Sequence, residues 1–302
     1  MNLSFVVVDV FTAQAFAGNP LAIVYDDAEA SLSLTTEQMQ ALAREMNLSE
    51  TVFVTDWDRD QGRFAVRIFT PFKELPFAGH PTIGTAAWLA GRCTGADGRP
   101  PEAIVLDEVA GPVRCQARWS GRTGVATLAP PQVPSRVEGA ELTPDDIVAE
   151  LGVDEAEIVG EIEVWSAGMA VHCVELDAPE RLDALRVPAL NGPLGHVELS
   201  CFAFGPGDDV ITARVFPLAA GIAEDPATGA AAVALAGRIA PRVLRDRSEA
   251  EVTIHQGAHM GRPSRLRLHL RGAAGRLDSV ELSGEVVAIS QGRWLQLPQG
   301  VA

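Results

Sequence analysis

The sequence predicts an α+β protein made of two similar domains, each a sheet curled around one buried helix. Three observations lead there. The 302 residues suffice for two cores of ordinary size. Short runs alternating apolar and polar residues, bounded by Gly, Pro, Asn or Asp, recur along the chain and mark half-buried strands. The segment "RIFTPFKELPFAGHPTIGTAA", from Arg67, has a second copy, "RVFPLAAGIAEDPATGAAA", 147 residues later from Arg214. Each copy is strand, loop, X-Pro step and small-residue helix, so the repeat has the scale of a domain.

In the first half, strands are expected at Phe5–Phe11, Leu21–Tyr25, Thr51–Thr55 and Phe64–Phe69. A helix over Thr36–Met46 interrupts them, with Thr35 as N-cap and Gln38 at capping-box spacing. Glu50 follows at the turn into the next strand. Pro81 and the alanines after it predict a helix ended by Gly91; with no charge before Arg92, it is expected to be surrounded by structure. Strands resume near Ala103–Leu106, Val113–Trp119 and Val125–Leu128. The first domain is thus read as residues 1–128, and the Pro-rich "APPQVPSRVEG", 129–139, as a linker. The second domain, 140–302, has expected strands at Ile158–Trp165, Val171–Leu176, Glu198–Phe204, Val210–Phe216, Val252–His255, Arg265–Leu270 and Glu285–Ile289, the last a candidate to cross back to the first domain.

Composition narrows the function. Forty acids against 24 bases give a formal charge of -16, which repels phosphate backbones, so nucleic acid is not an expected partner. The start "MNLSFVVVDVFTAQ" reads as a strand, with Asp9 interrupting its apolar run. No stretch approaches the roughly 18 apolar residues of a membrane span, and a cytoplasmic protein is expected. Cys93, Cys115, Cys173 and Cys201 form no CxxC or CxxH pair and are expected reduced and partly buried. There is no GxGxxG after a strand and no GxxxxGK[ST], hence no sign of a nucleotide cofactor. His255 and His259 in "HQGAH" are four apart, but Gly257 and "VTI" favour strand and turn over a helix; no metal is expected.

A duplicated domain tends to put its equivalent surfaces around one cleft, a favoured place for a small ligand. Both surfaces here would include a helix N-terminus, whose N–H groups and dipole suit a carboxylate. Gly84 and Gly229 near the two helix starts would allow close backbone approach. His80 and Asp225 enter the two helices at corresponding X-Pro steps; each can move protons, and each can equally be a cap. Glu50 is either a solvated turn residue or, in a nonpolar cleft, a group able to pass a proton between two positions of a substrate.

The motifs "VDVFTAQAFAGNPLAIV", "NLSETVFV", "PFAGHPTIGTA", "EDPATGAAA" and "QGAHMGRPSRL", in this order, resemble the phenazine biosynthesis PhzF-like isomerase family from Val8 to about Leu266. The resemblance implies the diaminopimelate epimerase-like fold, two similar domains with the active site in the cleft between them, and a homodimer. It implies a cofactor-independent isomerase of a small carboxylate-bearing substrate, similar to trans-2,3-dihydro-3-hydroxyanthranilate isomerase, in a biosynthetic process. On its motifs Glu50 is the proton shuttle, His80 and Asp225 assist proton movement or hold polar groups, and Asn19, Gly79, Thr228 and Gly229 line the site. Ala230 stands where the phenazine enzyme has a serine that holds the substrate carboxylate. Two other readings remain open. A noncatalytic small-anion binder would keep every cleft feature except a need for Glu50. A thiol racemase or epimerase would need cysteines at the two helix entries, which carry Gly79-His80 and Asp225 instead.

Overall fold

The structure, a computed structural model, describes residues 3–93, 101–139 and 142–298. The chain divides into two compact units, Met1–Leu128 with Ser283–Ala302, and Ala129–Leu282. Unit 1 contains β1 (Leu3–Val10), β2 (Asn19–Asp26), α1 (Thr36–Met46), β3 (Glu50–Asp58), β4 (Arg63–Phe69), the short β5 (Glu74–Leu75), α2 (Gly79–Ala90), β6 (Ile104–Glu108), β7 (Gly111–Ser120) and β8 (Thr123–Leu128). Unit 2 contains β9 (Ser135–Val137), α3 (Pro144–Leu151), β10 (Glu163–Ser166), β11 (Ala170–Glu175), α4 (Pro179–Ala184), β12 (Glu198–Phe204), β13 (Val210–Pro217), α5 (Gly229–Val243), β14 (Glu249–Gln256) and β15 (Ser264–Ala273). The long β16 (Arg276–Arg293) starts in unit 2 and ends in unit 1.

In unit 1 the strand order is β1-β2-β3-β4-β6-β7-β8-β16, and β16 also pairs antiparallel with β1. The hydrogen-bonded order therefore closes on itself, leaving neither β1 nor β8 as a bare edge. Two joins are parallel, β2 to β3 and β4 to β6, and a helix makes each crossover, α1 and α2. The capping box at Thr35 and Gln38 is formed, and α1 lays Met39, Leu42 and Ala43 onto Phe53 and Phe69. α2 is buried from Gly79 to Leu89 and touches β1, β2, β3, β6, β7 and β8. With strands on every side a polar face would have no water to meet, which is why the helix lacks one. Its small residues set the spacing: a Cβ on Gly84 would lie 2.7 Å from both Leu21 Cδ2 and Val10 Cγ2.

Unit 2 repeats the plan with the order β16-β15-β14-β13-β12-β11-β10-β9. Its parallel joins are β11 to β12, across α4, and β13 to β14, across α5. α5 packs on β9, β10, β11 and β15. The repeat holds in the register itself. Arg63 pairs with Val105 and Ala65 with Asp107, while Val210 pairs with Thr253 and Thr212 with His255. The last residues of β6 and β14, Glu108 and Gln256, are therefore equivalent.

Several expectations need correction. The stretch 129–139 is no free linker: β9 within it pairs with β10 and belongs to unit 2. The second domain does not run from 140 to 302. Residues 140 and 141 lie outside the described residues, and the chain from Ser283 onward belongs to unit 1, where β16 supplies a partner for β1. The strand expected over Ile158–Trp165 starts only at Glu163, after a single turn of 3-10 helix at Glu155–Glu157. All four cysteines are free and fully buried. Among the described residues no helix is long and apolar enough to cross a membrane.

Candidate active site

The unit 1 half of the predicted site is built where β1 turns into β2. Asp9 at the end of β1 is buried and accepts a hydrogen bond from the Phe16 backbone N–H at 2.7 Å, folding the loop back. Gly18 completes the turn at φ +67, where a Cβ would strike the Val10 carbonyl oxygen at 2.3 Å. The loop delivers Asn19, fully buried, as the first residue of β2. Glu50 opens β3 opposite Leu21 in the parallel pair, so both side chains start from the same end of the sheet. Gly79 and His80 are the first two residues of α2.

His80 is 5% exposed, and burial pushes its pKa down to about 3, so the imidazole is neutral near pH 7. Asn19 Nδ2 lies 3.4 Å from His80 Nδ1. An amide nitrogen only donates, so Nδ1 accepts and the ring proton sits on Nε2. Nε2 in turn lies 3.4 Å from Glu50 Oε2, whose side chain is 13% exposed. Asn19 thus fixes the tautomer that presents an N–H toward the Glu50 carboxyl.

In unit 2 the loop before α5 is pinned from three sides. Asp225 is buried, and its N–H donates to the Val215 carbonyl at 3.0 Å. Its Oδ2 accepts from the Thr228 hydroxyl at 2.5 Å. Gln256 Nε2 donates to the Asp225 carbonyl at 2.7 Å, and Gln256 Oε1 accepts from the Thr228 N–H at 3.3 Å. Gly257, at φ +78, lets that strand end run against the Pro226 backbone, whose carbonyl oxygen a Cβ would meet at 2.5 Å. Thr228 is the N-cap of α5 but makes no side-chain capping bond; its hydroxyl donates to Asp225. Gly229 and Ala230 are the first two helical residues. Ala78, the N-cap of α2, likewise offers no side-chain cap.

The two X-Pro steps are consequently not at the same helical position. His80 lies inside α2, while Asp225 precedes α5 by four residues and is not its N-cap. The difference is the extra turn of chain that Asp225 needs to receive the Thr228 hydroxyl.

One duplicated feature escaped the sequence reading although its motif was in view. The arginines of Arg-Ile-Phe and Arg-Val-Phe each clamp a glutamate further along the chain, in β5 and in the loop before α5, through two parallel bonds. Arg67 reaches Glu74 at 2.7 and 2.6 Å, and Arg214 reaches Glu224 at 2.8 and 2.8 Å. Each guanidinium also lies 5.2 Å from the ring centroid of the phenylalanine two residues on, Phe69 or Phe216. Spacing alone does not reveal them, because the glutamates stand seven and ten residues away.

His255 lies in β14 and His259 in the turn Ala258–Met260, with His259 Nε2 3.2 Å from Asp183. Among the described residues no group of three His, Cys, Asp or Glu side chains is assembled to hold a metal ion. Burial pushes the thiols up, Cys93 to about 11 and Cys115 and Cys173 to about 12, and raises Cys201 as well. None is poised as a thiolate near neutral pH.

Three comparisons bear on this geometry. The family model described as phenazine biosynthesis-like protein (PhzC-PhzF) matches residues 8–292. Among curated proteins, an uncharacterized isomerase of Mesorhizobium japonicum is 35% identical, over 96% of this chain and 98% of its own. The trans-2,3-dihydro-3-hydroxyanthranilate isomerase of Pseudomonas aeruginosa is 34% identical over the same shares. Among solved structures, the PhzF-family phenazine biosynthesis protein of Bacillus anthracis superposes with a TM-score of 0.81 at 22% identity, covering 98% of this chain and 100% of that one, a likeness of fold.

Proposed function

The chain belongs to the phenazine biosynthesis-like protein family and is an isomerase, and from that premise we propose that it moves a proton within one small anionic metabolite, without a cofactor, with Glu50 as carrier. The observation that carries this reading is the Glu50–His80 pair, a carboxyl oxygen 3.4 Å from an imidazole nitrogen that burial keeps neutral. In this reading the Glu50 carboxylate removes a proton from one carbon of the substrate, becomes the neutral acid, and returns the proton to another position. The electron pair shifts along the substrate, and nothing is oxidised or reduced. His80 Nε2–H steadies the ionised form of Glu50 and donates less strongly to the protonated one.

Asp225 and Thr228 hold a polar group of the substrate, and the backbone N–H groups of Gly229 and Ala230 receive its carboxylate. Asn19 and Gly79 line the site beside Glu50 and His80. Trans-2,3-dihydro-3-hydroxyanthranilate, the compound in the name of the Pseudomonas relative, is the first candidate. Ala230 lacks the hydroxyl that the resemblance assigns to this position, and a hydrogen bond to a charged group is worth on the order of 1.5 to 3 kcal/mol. The proposal is therefore a class, small cyclic carboxylates, and the active form a homodimer.

Incubation in deuterium oxide with that compound and with other cyclic hydroxy and amino acids tests the reading. The native chain incorporates solvent deuterium, and Glu50→Gln binds the same compound with exchange at background. Exchange at the native rate in the variant would exclude Glu50 as carrier. Binding without exchange in either form would instead make the chain a small-anion binder.

A further inference from the structure

Glu108 is a buried carboxyl with no part in the mechanism above. It ends β6 and is 7% exposed. Its Oε1 lies 2.6 Å from the hydroxyl of Thr82 on the first turn of α2, two residues beyond His80. The same hydroxyl lies 2.7 Å from the Ala78 carbonyl oxygen.

A hydroxyl has one proton. The carbonyl can only accept, so with that proton on Ala78 both short contacts are satisfied at once when Glu108 supplies the second proton. Among the described residues Glu108 Oε2 has no hydrogen-bond partner, which a neutral acid's carbonyl oxygen tolerates far better than a carboxylate oxygen does. Unit 2 repeats the arrangement with a group that cannot ionise. Gln256, at the equivalent position, lies with Nε2 3.3 Å from the Thr228 hydroxyl, which passes its own proton to Asp225. In unit 2 the last residue of the crossover strand donates to a threonine at the helix entry, and the threonine donates onward; a neutral Glu108 would do the same in unit 1.

We propose that Glu108 is a positioning residue of the unit 1 half-site, held as the neutral acid, whose proton fixes the first turn of α2 and with it His80 without placing a negative charge there. Ionisation would reverse the Glu108–Thr82 bond, compete with Ala78 for the single Thr82 proton, and put a buried negative charge beside the turn that carries His80. Burial raises the Glu108 pKa to about 8, which brings this switch within reach of ordinary buffers. The titratable neighbours do not obscure it: Cys115 from β7 has its thiol pushed up to about 12, and His80 from α2 is neutral throughout. The consequence for the reaction rests on the proposed function; the state of Glu108 and its grip on α2 do not.

The test follows the His80 ring-nitrogen resonances in histidine-labelled protein from pH 6 to 10, in the native chain and in Glu108→Gln, with kcat/KM measured alongside. Glu108→Gln copies what unit 2 already uses. The native His80 signal is expected to shift with a midpoint near pH 8 and the variant signal to stay flat. Native kcat/KM falls by about tenfold per pH unit above that midpoint, and Glu108→Gln, within about twofold of native at pH 7, lacks that alkaline limb. A His80 signal that titrates alike in both proteins, or in neither, overturns the proposal. So does a shared alkaline limb, which would leave Glu108 a structural acid. A His80 shift confined to the native chain with no turnover of any substrate would sink the proposed function and leave the positioning role standing.

Discussion

At the level of single residues, the candidate site depends on keeping an imidazole neutral by burial, and that has a measurable cost in acid. His80 has its folded-state pKa pushed down to about 3 from the ordinary 6.5. Between those values the unfolded chain binds a proton that the folded chain refuses, so stability falls as pH drops from 6.5 toward 3 and is unaffected by this group above 6.5. The slope from one such group reaches about 1.4 kcal/mol per pH unit. Urea unfolding at pH 4.5 and 6.5 should therefore show a smaller acid loss in His80→Asn than in the native chain; equal losses would mean that His80 is protonated in the fold. Glu50, His80, Asp225 and their lining residues could be named as candidates from the sequence because each stands in a short motif. Glu108 and Gln256 were not, because their contacts to Thr82 and Thr228 arise only after a parallel crossover brings strand ends beside a helix 26 or 28 residues away.

Among the elements, the two copies show how one motif can carry different loads. The Arg214–Glu224 clamp is buried, with side chains 5% and 10% exposed, and Arg214 Nη1 also donates to the Leu182 and Leu185 carbonyls at 3.0 and 2.8 Å. The Arg67–Glu74 clamp is 27% and 26% exposed. Removing one partner of a buried pair strands the other charge without water, whereas a half-exposed carboxylate is rescued by solvent. Arg214→Met should thus cost about 3 to 5 kcal/mol, and Arg67→Met about 1 kcal/mol or less, in urea unfolding followed by circular dichroism. Similar losses would show that the first clamp is as dry as the second. The helices divide on legibility in a related way. α1, α2 and α5 announce themselves through caps and small-residue runs. The eight-residue α3 went unread although Thr143 and Asp146 form a capping box, because Asp replaces the expected Glu or Gln and the apolar stripe is two residues, Ile147 and Leu151.

For the molecule as a whole, the return of the chain could be named from the sequence only as a candidate crossing of the last strand, without its length or register. The 18 residues of β16 read as one short strand at Glu285–Ile289, since nothing local says that Val8 will pair with Ala288, or Val10 with Val286. That pairing has a larger consequence than any side chain named above. Without it β1 and β8 become open edges and the sheet around α2, whose surface carries no charge, is no longer closed. Unit 2 keeps all of β9 to β15 and the start of β16 when the chain stops at Leu282. A chain ending there is therefore expected to keep slow amide exchange in β11 to β15 and to lose it in β1 to β4 and in α2, read by mass spectrometry after peptic digestion. Uniform loss would show that the units fold only together, and full protection in unit 1 would show that the closing strand is dispensable. Between those results lies the physical point: a helix written without a polar face is stable only inside a sheet that the last strand of the chain has come back to close.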